Sequence, residues 1–485
     1  MLSERTRATT ATLPVTQRAG QSERVTPWRR WTARGVRETA LIVLGLLANL
    51  VLLPHTIAGD GARRYAALSQ LLSGEGLSPV KYSLIGPIFA APLWLIGRLL
   101  SQPAVWVEGY STLVFALGLL AFYLLLRKRM DGDLLRAFLL LLTLASMFPY
   151  HLTQFYGEVF TAVLVAVGLT LATLYRRGAL GGLALVVIGV ANTPAAIVGL
   201  ALALAQRIWR TRRLRYGLAL VAAVALIVGE SWLRRGSGMN DGYLRDNGGH
   251  TLMPFAGIPG FSYPLLLGLL AIFLSFGKGL LFFTPGLFLP VRRRITALWG
   301  AQSQLWSLYS LWLLFVAGLV LVYAKWWAWY GGWFWGPRFF LFACVPASFA
   351  LALWTQRPAA RLSLNLLALL ALALSVWVGI NGAVFNQAGL TVCTNNHYLL
   401  EAYCHFTPDF SALWRPLVNV YLYGLGPRFA SVEALTPGSV AFGAYALLVG
   451  VYLSLPLLRA IWAQARTLLA AWAPQVAAAL AELRF

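Results

Sequence analysis

Apolar stretches long enough to cross a bilayer recur along the whole chain, among them residues 40–58, 302–324 and 362–380. A helix needs about 20 residues to cross about 30 Å of hydrocarbon. None of these stretches alternates apolar with polar positions, so they do not read as strands of a closed barrel, the other structure that satisfies its own backbone inside a membrane. Composition agrees, with 59% hydrophobic and 11% charged residues, where soluble domains carry about a quarter charged. A water-soluble fold is excluded. The expected architecture is an all-α integral membrane protein, a polytopic helical bundle of about ten spans with additional re-entrant or interfacial helices.

The net charge of +23 raises the question of nucleic acid, but basic residues of a multispan protein collect at cytoplasmic ends. They cluster that way here, at Arg29, Arg30, Arg34 and Arg37, at Arg127, Lys128 and Arg129, at Arg207, Arg210, Arg212, Arg213 and Arg215, and at Arg292, Arg293 and Arg294. The lipid bilayer is therefore the expected partner, and nucleic acid is not. Placing the clusters inside gives spans near residues 40–58, 104–126, 134–149, 156–175, 216–233, 279–291, 302–324, 338–354, 362–380 and 439–458. Both termini are then cytoplasmic, in a multi-pass protein of the plasma membrane.

Two apolar stretches cannot cross without breaking that charge rule. Residues 82–100 contain Pro87, Pro92 and Gly97 and are expected to lie at the outer face as a re-entrant or interfacial segment. Residues 180–205 have arginines on both flanks and a break at Ala191-Asn192-Thr193-Pro194, so a hairpin of two short helices is expected, since proline removes a backbone donor and disfavours helix before it. Residues 1–36 read as a disordered cytoplasmic tail, 37–458 as the membrane domain, and 459–485 as a cytoplasmic amphipathic helix. The outer face receives the loops 59–103, 234–278, 325–337 and 381–438.

Residues capable of chemistry concentrate in those loops. Asp60 stands just outside the first span, where a carboxylate can act as a base, a metal ligand or a solvated loop acid. Lys81 precedes the re-entrant segment and can neutralise a phosphate or snorkel at the interface. Glu158 is a second acid facing the same side, while Asp241 and Asp246 read as solvated. Cys344 reads as a packing residue, whereas Cys393 and Cys404 share an outer loop where an oxidising compartment permits a disulfide. His55, His151, His250, His397 and His405 have no metal-ligand spacing. The stretch Trp-Trp-Ala-Trp-Tyr-Gly-Gly-Trp-Phe-Trp-Gly-Pro-Arg, residues 326–338, is denser in aromatics than an interfacial belt requires.

Four pieces together resemble the GT-C superfamily of polyprenyl-phosphate-sugar-dependent glycosyltransferases, which includes protein O-mannosyltransferases and lipid A aminoarabinose transferases. They are Asp60 followed by Arg64-Tyr65-Ala66, the Lys81 to Pro92 segment, Phe276-Gly277-Lys278-Gly279 with the apolar run to Pro285, and the Gly-Gly to Gly-Pro-Arg stretch ending at Arg338. The last two resemble an uncharacterised bacterial branch, and the broken hairpin at Pro194 is also similar to a feature of the group. The resemblance implies a GT-C-like catalytic domain, an extracytoplasmic active site and inverting transfer of a hexosyl or pentosyl group from a lipid-linked sugar donor to a hydroxyl. The acceptor would be a glycan, lipid or protein of the cell envelope.

Asp60 would be the catalytic base, and Lys81, Arg338, Lys278 and Arg64 would bind the donor phosphate. Tyr65, Tyr82, Glu158, Trp329, Tyr330 and Trp333 would bind substrate. Members of the group often carry a second acid next to the first, and this chain has Gly61 there, which bears on any divalent-metal role needing both. The other reading of the same residues is a transporter or flippase of lipid-linked saccharide without catalysis. Transport favours ionisable groups near the middle of the membrane, whereas these lie at the ends of spans.

Overall fold

The computed structural model describes residues 33–482 except 239, 241, 243–250, 254, 256, 257, 259, 301, 396 and 397. Residues 1–32 of the tail, with Arg29 and Arg30, and Asp241, Asp246, His250 and His397 lie outside the described residues. Among those described, eight helices are long and apolar enough to cross a membrane: Ala33–Leu52, Pro103–Leu126, Gly157–Leu174, Leu214–Arg235, Gln304–Tyr323, Arg338–Gln356, Leu362–Val384 and Pro437–Trp472. Arg338–Gln356 is the central one, 89% buried, while Leu214–Arg235 is peripheral at 22%. Its exposed Leu218, Val221 and Val224 form the surface a helix offers to lipid, which is as apolar as these side chains.

Two crossings expected as plain helices are broken. Residues 134–149 fall in Gly132–Leu144 and Phe148–Leu152, separated by a bend. Arg136 and Asp133 at one end pair with Glu38 and Arg34 of the first helix. At the other end Thr153 accepts from the Thr56 N–H at 2.9 Å, so the segment runs beside the first helix over its whole height. Burial on all sides by other helices makes the irregular backbone tolerable.

The second, 279–291, is not one helix at all. It forms Leu280–Phe283, a 3₁₀ turn Pro285–Phe288 and extended Leu289, because Pro285 and Pro290 each remove a donor. It still traverses the bundle. Lys278 at its head bonds the Gly336 carbonyl, and Arg294 at its foot donates to the Arg357 carbonyl.

Residues 82–100 stay at one end as Ile85–Ile88 and Ala91–Leu99, tied down where the Trp94 indole donates to Ser69 at 3.0 Å. Residues 180–205 form the hairpin Ala179–Asn192 and Ile197–Thr211 around a 3₁₀ turn at Pro194–Ala196. The hairpin is as tall as a full crossing: Asn192 at its tip bonds the Gly157 carbonyl, and Arg207 near its foot bonds the Ala172 carbonyl, the two ends of Gly157–Leu174. No break occurs at 458, where the membrane domain was expected to end. One helix, Pro437–Glu482, runs through Pro456 and Pro474, and Gln464 bonds the Ala359 carbonyl beyond the expected boundary.

The end carrying the arginine clusters is closed by a buried charge. Glu38, 1% exposed, accepts from Arg34 at 2.8 Å, Arg136 at 2.6 Å and Tyr452 at 2.8 Å. Deeper in, Ile197–Thr211 crosses Gln304–Tyr323 at Gly199 and Gly318, where a Cβ on Gly318 would lie 2.3 Å from the Gly199 Cα. Only two glycines allow that backbone contact. Gly318→Leu is therefore expected to lose at least about 3 kcal/mol by overpacking, read as a lower melting temperature in detergent. Gly318→Ala should lose less, and a Leu variant melting with the parent would mean the crossing is not close.

Candidate active site

Opposite the basic end, the chain leaving the first helix turns at Gly59, whose φ of +52° suits a residue without a side chain. The turn starts the helix Asp60–Leu72 with Asp60 in its first turn, where the macrodipole favours a carboxylate. Two donors hold that carboxylate. The Tyr82 hydroxyl donates to Oδ1 at 2.5 Å and Arg338 Nη2 to Oδ2 at 2.6 Å.

Arg338 does more than pair with Asp60. Its Nη1 lies 3.5 Å from Glu158 Oε1, its Nε donates to the Gly331 carbonyl at 2.7 Å, and the guanidinium sits 4.1 Å from the Phe334 ring centre. One planar cation thus bridges two acids that begin different helices. Burial alone would raise the Asp60 carboxyl, but the Arg338 charge, the Tyr82 and Arg338 hydrogen bonds and the Arg64 charge together hold it below the ordinary carboxylate value.

Lys81 and Arg64 belong to the same electrostatic site. The Lys81 ammonium is 5.3 Å from the Tyr82 ring centre. Burial pushes its pKa down, Asp60 pulls it up, and Arg63 and Arg338 push it down again. Arg64 is buried, with Nη1 donating to the Ser83 carbonyl at 3.1 Å. Its Nε has no partner among the described residues. Asp60, Arg64, Lys81, Tyr82, Glu158 and Arg338 therefore come together. Tyr65 does not join them, because it packs at the edge of the apolar cluster of Leu68, Leu84 and Trp94.

Three other candidates turn inward. Lys278 is 2% exposed, and its ammonium donates to the carbonyls of Gly332 at 3.1 Å, Phe334 and Gly336 at 3.0 Å. An ammonium has three donors, so none is left for a phosphate. Trp329 and Tyr330 are 1% and 2% exposed, packed against His405 and Phe406. Of the aromatic stretch, Trp326, Trp327, Trp333 and Phe334 keep part of their surface open, and of these Phe334 lies against Arg338. Trp333 is oriented by Glu401, which accepts its indole N–H at 2.7 Å, and by Tyr398, stacked at 4.4 Å. The Glu401 helix is fastened by a Cys393–Cys404 disulfide with its Cα atoms 6.1 Å apart.

Several positioning residues escape a reading of the sequence. Arg234 donates to the carbonyls of Ser78 at 2.9 Å, Val80 at 2.9 Å and Tyr82 at 2.7 Å, and pairs with Glu230 at 2.7 Å. Glu230 in turn accepts the Leu84 N–H at 2.6 Å. These two residues shape the loop that carries Lys81 and Tyr82. Their signal was an acid and a base four apart inside an apolar helix, where ionisable groups are costly. Asn192 accepts the Gly86 N–H at 3.0 Å, so the hairpin tip supports the same loop from below.

Among the described residues no group of three His, Cys, Asp or Glu side chains converges as a metal site. At Gly61 a Cβ would lie 3.0 Å from the Phe155 carbonyl oxygen, so a second acid there would require the neighbouring backbone to shift.

Fold and site thus define a polytopic helical membrane protein with a charged carboxylate site at one end of its bundle. The chain is similar to two crystal structures of ArnT from Cupriavidus metallidurans. For the form bound to undecaprenyl phosphate the TM-score is 0.49 at 15% identity, over 92% of this chain and 81% of that one. For the apo form it is 0.45 at 13% identity, over 91% and 79%. In sequence, no family model and no curated protein matches the chain.

Trypsin reports on the Arg234 clamp, because Lys81 lies in the loop it secures. Arg234→Gln removes the donor from the Ser78 and Tyr82 carbonyls, at about 1–3 kcal/mol each, while Val80 keeps Arg235, and local opening should rise accordingly. Cleavage after Lys81 in the detergent-solubilised protein should accelerate about tenfold or more. Unchanged cleavage would mean the loop holds without Arg234.

Proposed function

We propose that this chain is a membrane glycosyltransferase that moves a sugar from a polyprenyl-phosphate donor to an acceptor hydroxyl on the extracytoplasmic face, with inversion. The observation carrying the proposal is Asp60, a carboxylate fixed by Tyr82 and Arg338 beside Lys81 and Arg64. An ionised carboxylate has about four lone-pair sites. Tyr82 and Arg338 use one on each oxygen, which leaves one on each for an acceptor hydroxyl.

In the reaction the acceptor oxygen forms a bond to the anomeric carbon from the face opposite the phosphate. The bond from that carbon to the phosphate oxygen breaks, the electron pair leaves with the polyprenyl phosphate, and the acceptor proton passes to Asp60. The departing phosphate gains a negative charge, so a fixed cation near it lowers the barrier without needing an acid. Lys81 is the first choice for that cation and Arg64 the second. Arg338 is already balanced by Asp60 and Glu158 and is assigned to aiming the base. Lys278 is assigned to bracing the aromatic loop, whose Trp333 and Phe334 offer apolar faces to the C–H surface of a sugar.

Membranes carrying Asp60→Asn should transfer label from a radiolabelled polyprenyl-phosphate sugar about a hundredfold or more slowly than the parent, while still retaining the donor. Equal transfer would remove Asp60 as the base.

The pH profile tests Arg338 separately. A base works ionised, and the Asp60 carboxyl is held below its ordinary 3.8, so the acid limb of kcat/KM in the parent should lie below that pH. In Arg338→Met the Arg338 charge and hydrogen bond vanish, Tyr82 and Arg64 remain, and burial, the largest effect, pushes the carboxyl up from its value in the parent. The acid limb should then move to higher pH, and an unmoved limb would sink the assignment.

A further inference from the structure

Because residues 285–288 form a 3₁₀ turn and Leu289 is extended, this part of the chain is thinner than an α-helix and leaves space beside it. The space is a groove of about 550 Å³ at the basic end of the bundle, within the range of small-molecule sites, about 300–1,000 Å³. It is bounded by Gln304–Tyr323, Arg338–Gln356 and Leu362–Val384 through Tyr309, Leu313, Trp354 and Leu364. These walls are apolar. Its rim is Arg292, Arg293 and Arg294.

The rim is cationic and not neutralised. No acidic side chain lines the groove, and among the described residues none pairs with these three arginines. The acids nearby are already engaged, Asp131 with Arg357 at 2.8 Å and Asp133 and Glu38 with Arg34 and Arg136. The Arg294 guanidinium sits 3.5 Å from the Trp354 ring centre and donates to the Arg357 carbonyl, while Arg292 and Arg293 are exposed.

We infer that this groove binds one anionic phospholipid of the leaflet at the basic end, with an acyl chain against Leu313, Tyr309 and Leu364 and the phosphate at Arg292–Arg294. An apolar wall alone would accept any lipid. A cation cluster alone would attract any anion. Their juxtaposition in one groove selects a molecule carrying both parts, in the way basic pockets between membrane helices take anionic headgroups. The inference is independent of the Asp60 site, which lies at the opposite end.

Native mass spectrometry of the full chain in detergent, with phosphatidylglycerol or phosphatidylcholine of equal chain length, tests it. One retained phosphatidylglycerol per chain is expected, in clear excess over phosphatidylcholine. In the triple variant Arg292→Gln, Arg293→Gln, Arg294→Gln retention should fall at least about tenfold. The control Arg212→Gln, Arg213→Gln, Arg215→Gln removes equal charge at the same end and should change retention less than about twofold.

Leu313→Trp fills the apolar part while leaving the rim intact, and should also expel the lipid. It keeps the test alive if the triple variant does not fold. Equal losses in the control, equal retention of the two lipids, or full retention in Leu313→Trp would each overturn the inference. So would equally effective competition by soluble glycerophosphoglycerol, which would mark an anion site with no place for a chain.

Discussion

A single guanidinium joins the parts of this protein that no local rule would bring together. Arg338 opens the most buried helix of the bundle and reaches Asp60, 278 residues earlier in the chain, and Glu158 at the start of a third helix. Removing one partner of such a buried pair typically costs about 3–5 kcal/mol, because the other charge stays behind unpaired. The pair is therefore less a source of stability than a constraint on geometry. It fixes the exit of the first helix, the head of Gly157–Leu174 and the return of the aromatic loop relative to one another. Phe334 beneath the guanidinium and the Gly331 carbonyl beside it leave the arginine no other plane to occupy.

The loops around that pair are irregular, and irregular backbone at the edge of a bilayer has carbonyls that water does not reliably satisfy. Two buried cations answer that need. Arg234 collects three carbonyls of residues 78–82, and Lys278 collects three of residues 332–336. Each takes a segment with no repeating hydrogen-bond pattern and gives it one fixed shape. The first segment then presents Lys81 and Tyr82, and the second presents Phe334 and the approach to Arg338. A cation spent on three carbonyls is unavailable to a ligand, so Lys278, for all its place beside the site, braces a loop.

Such bracing marks the limit of what the sequence conveys. Hydropathy and charge were enough to read a helical membrane bundle, to exclude crossing by residues 82–100, and to read residues 180–205 as a hairpin, since length and proline placement act locally. Asp60, Lys81 and Arg338 stand out for the same reason, as charges at the ends of apolar runs. Burial is not local. Trp329, Tyr330 and Trp333 share one composition and one loop, and only the approach of residues 398–406 decides that two are sealed against His405 while the third is turned outward by Glu401. Arg234 was hidden by the opposite effect, because an arginine in the last turn of an apolar helix fits the interfacial pattern, and only Glu230 four residues before it departs from that pattern.

Broken crossings connect these observations. A straight helix satisfies its own backbone and needs nothing from its neighbours, whereas a break exposes groups that must be met from outside the segment. The break at Asn192–Pro194 lets the Asn192 amide reach both Gly86 and Gly157, so a hairpin tip becomes the floor under the Lys81 loop. At Pro285 the break starts from Lys278, whose ammonium is spent on the aromatic loop, and ends by opening the groove beside Arg292–Arg294. The irregular segments therefore sit where the bundle departs from being a passive span. One departure shapes the charged site around Asp60, and the other leaves a cationic groove at the far end of the same segment that braces it.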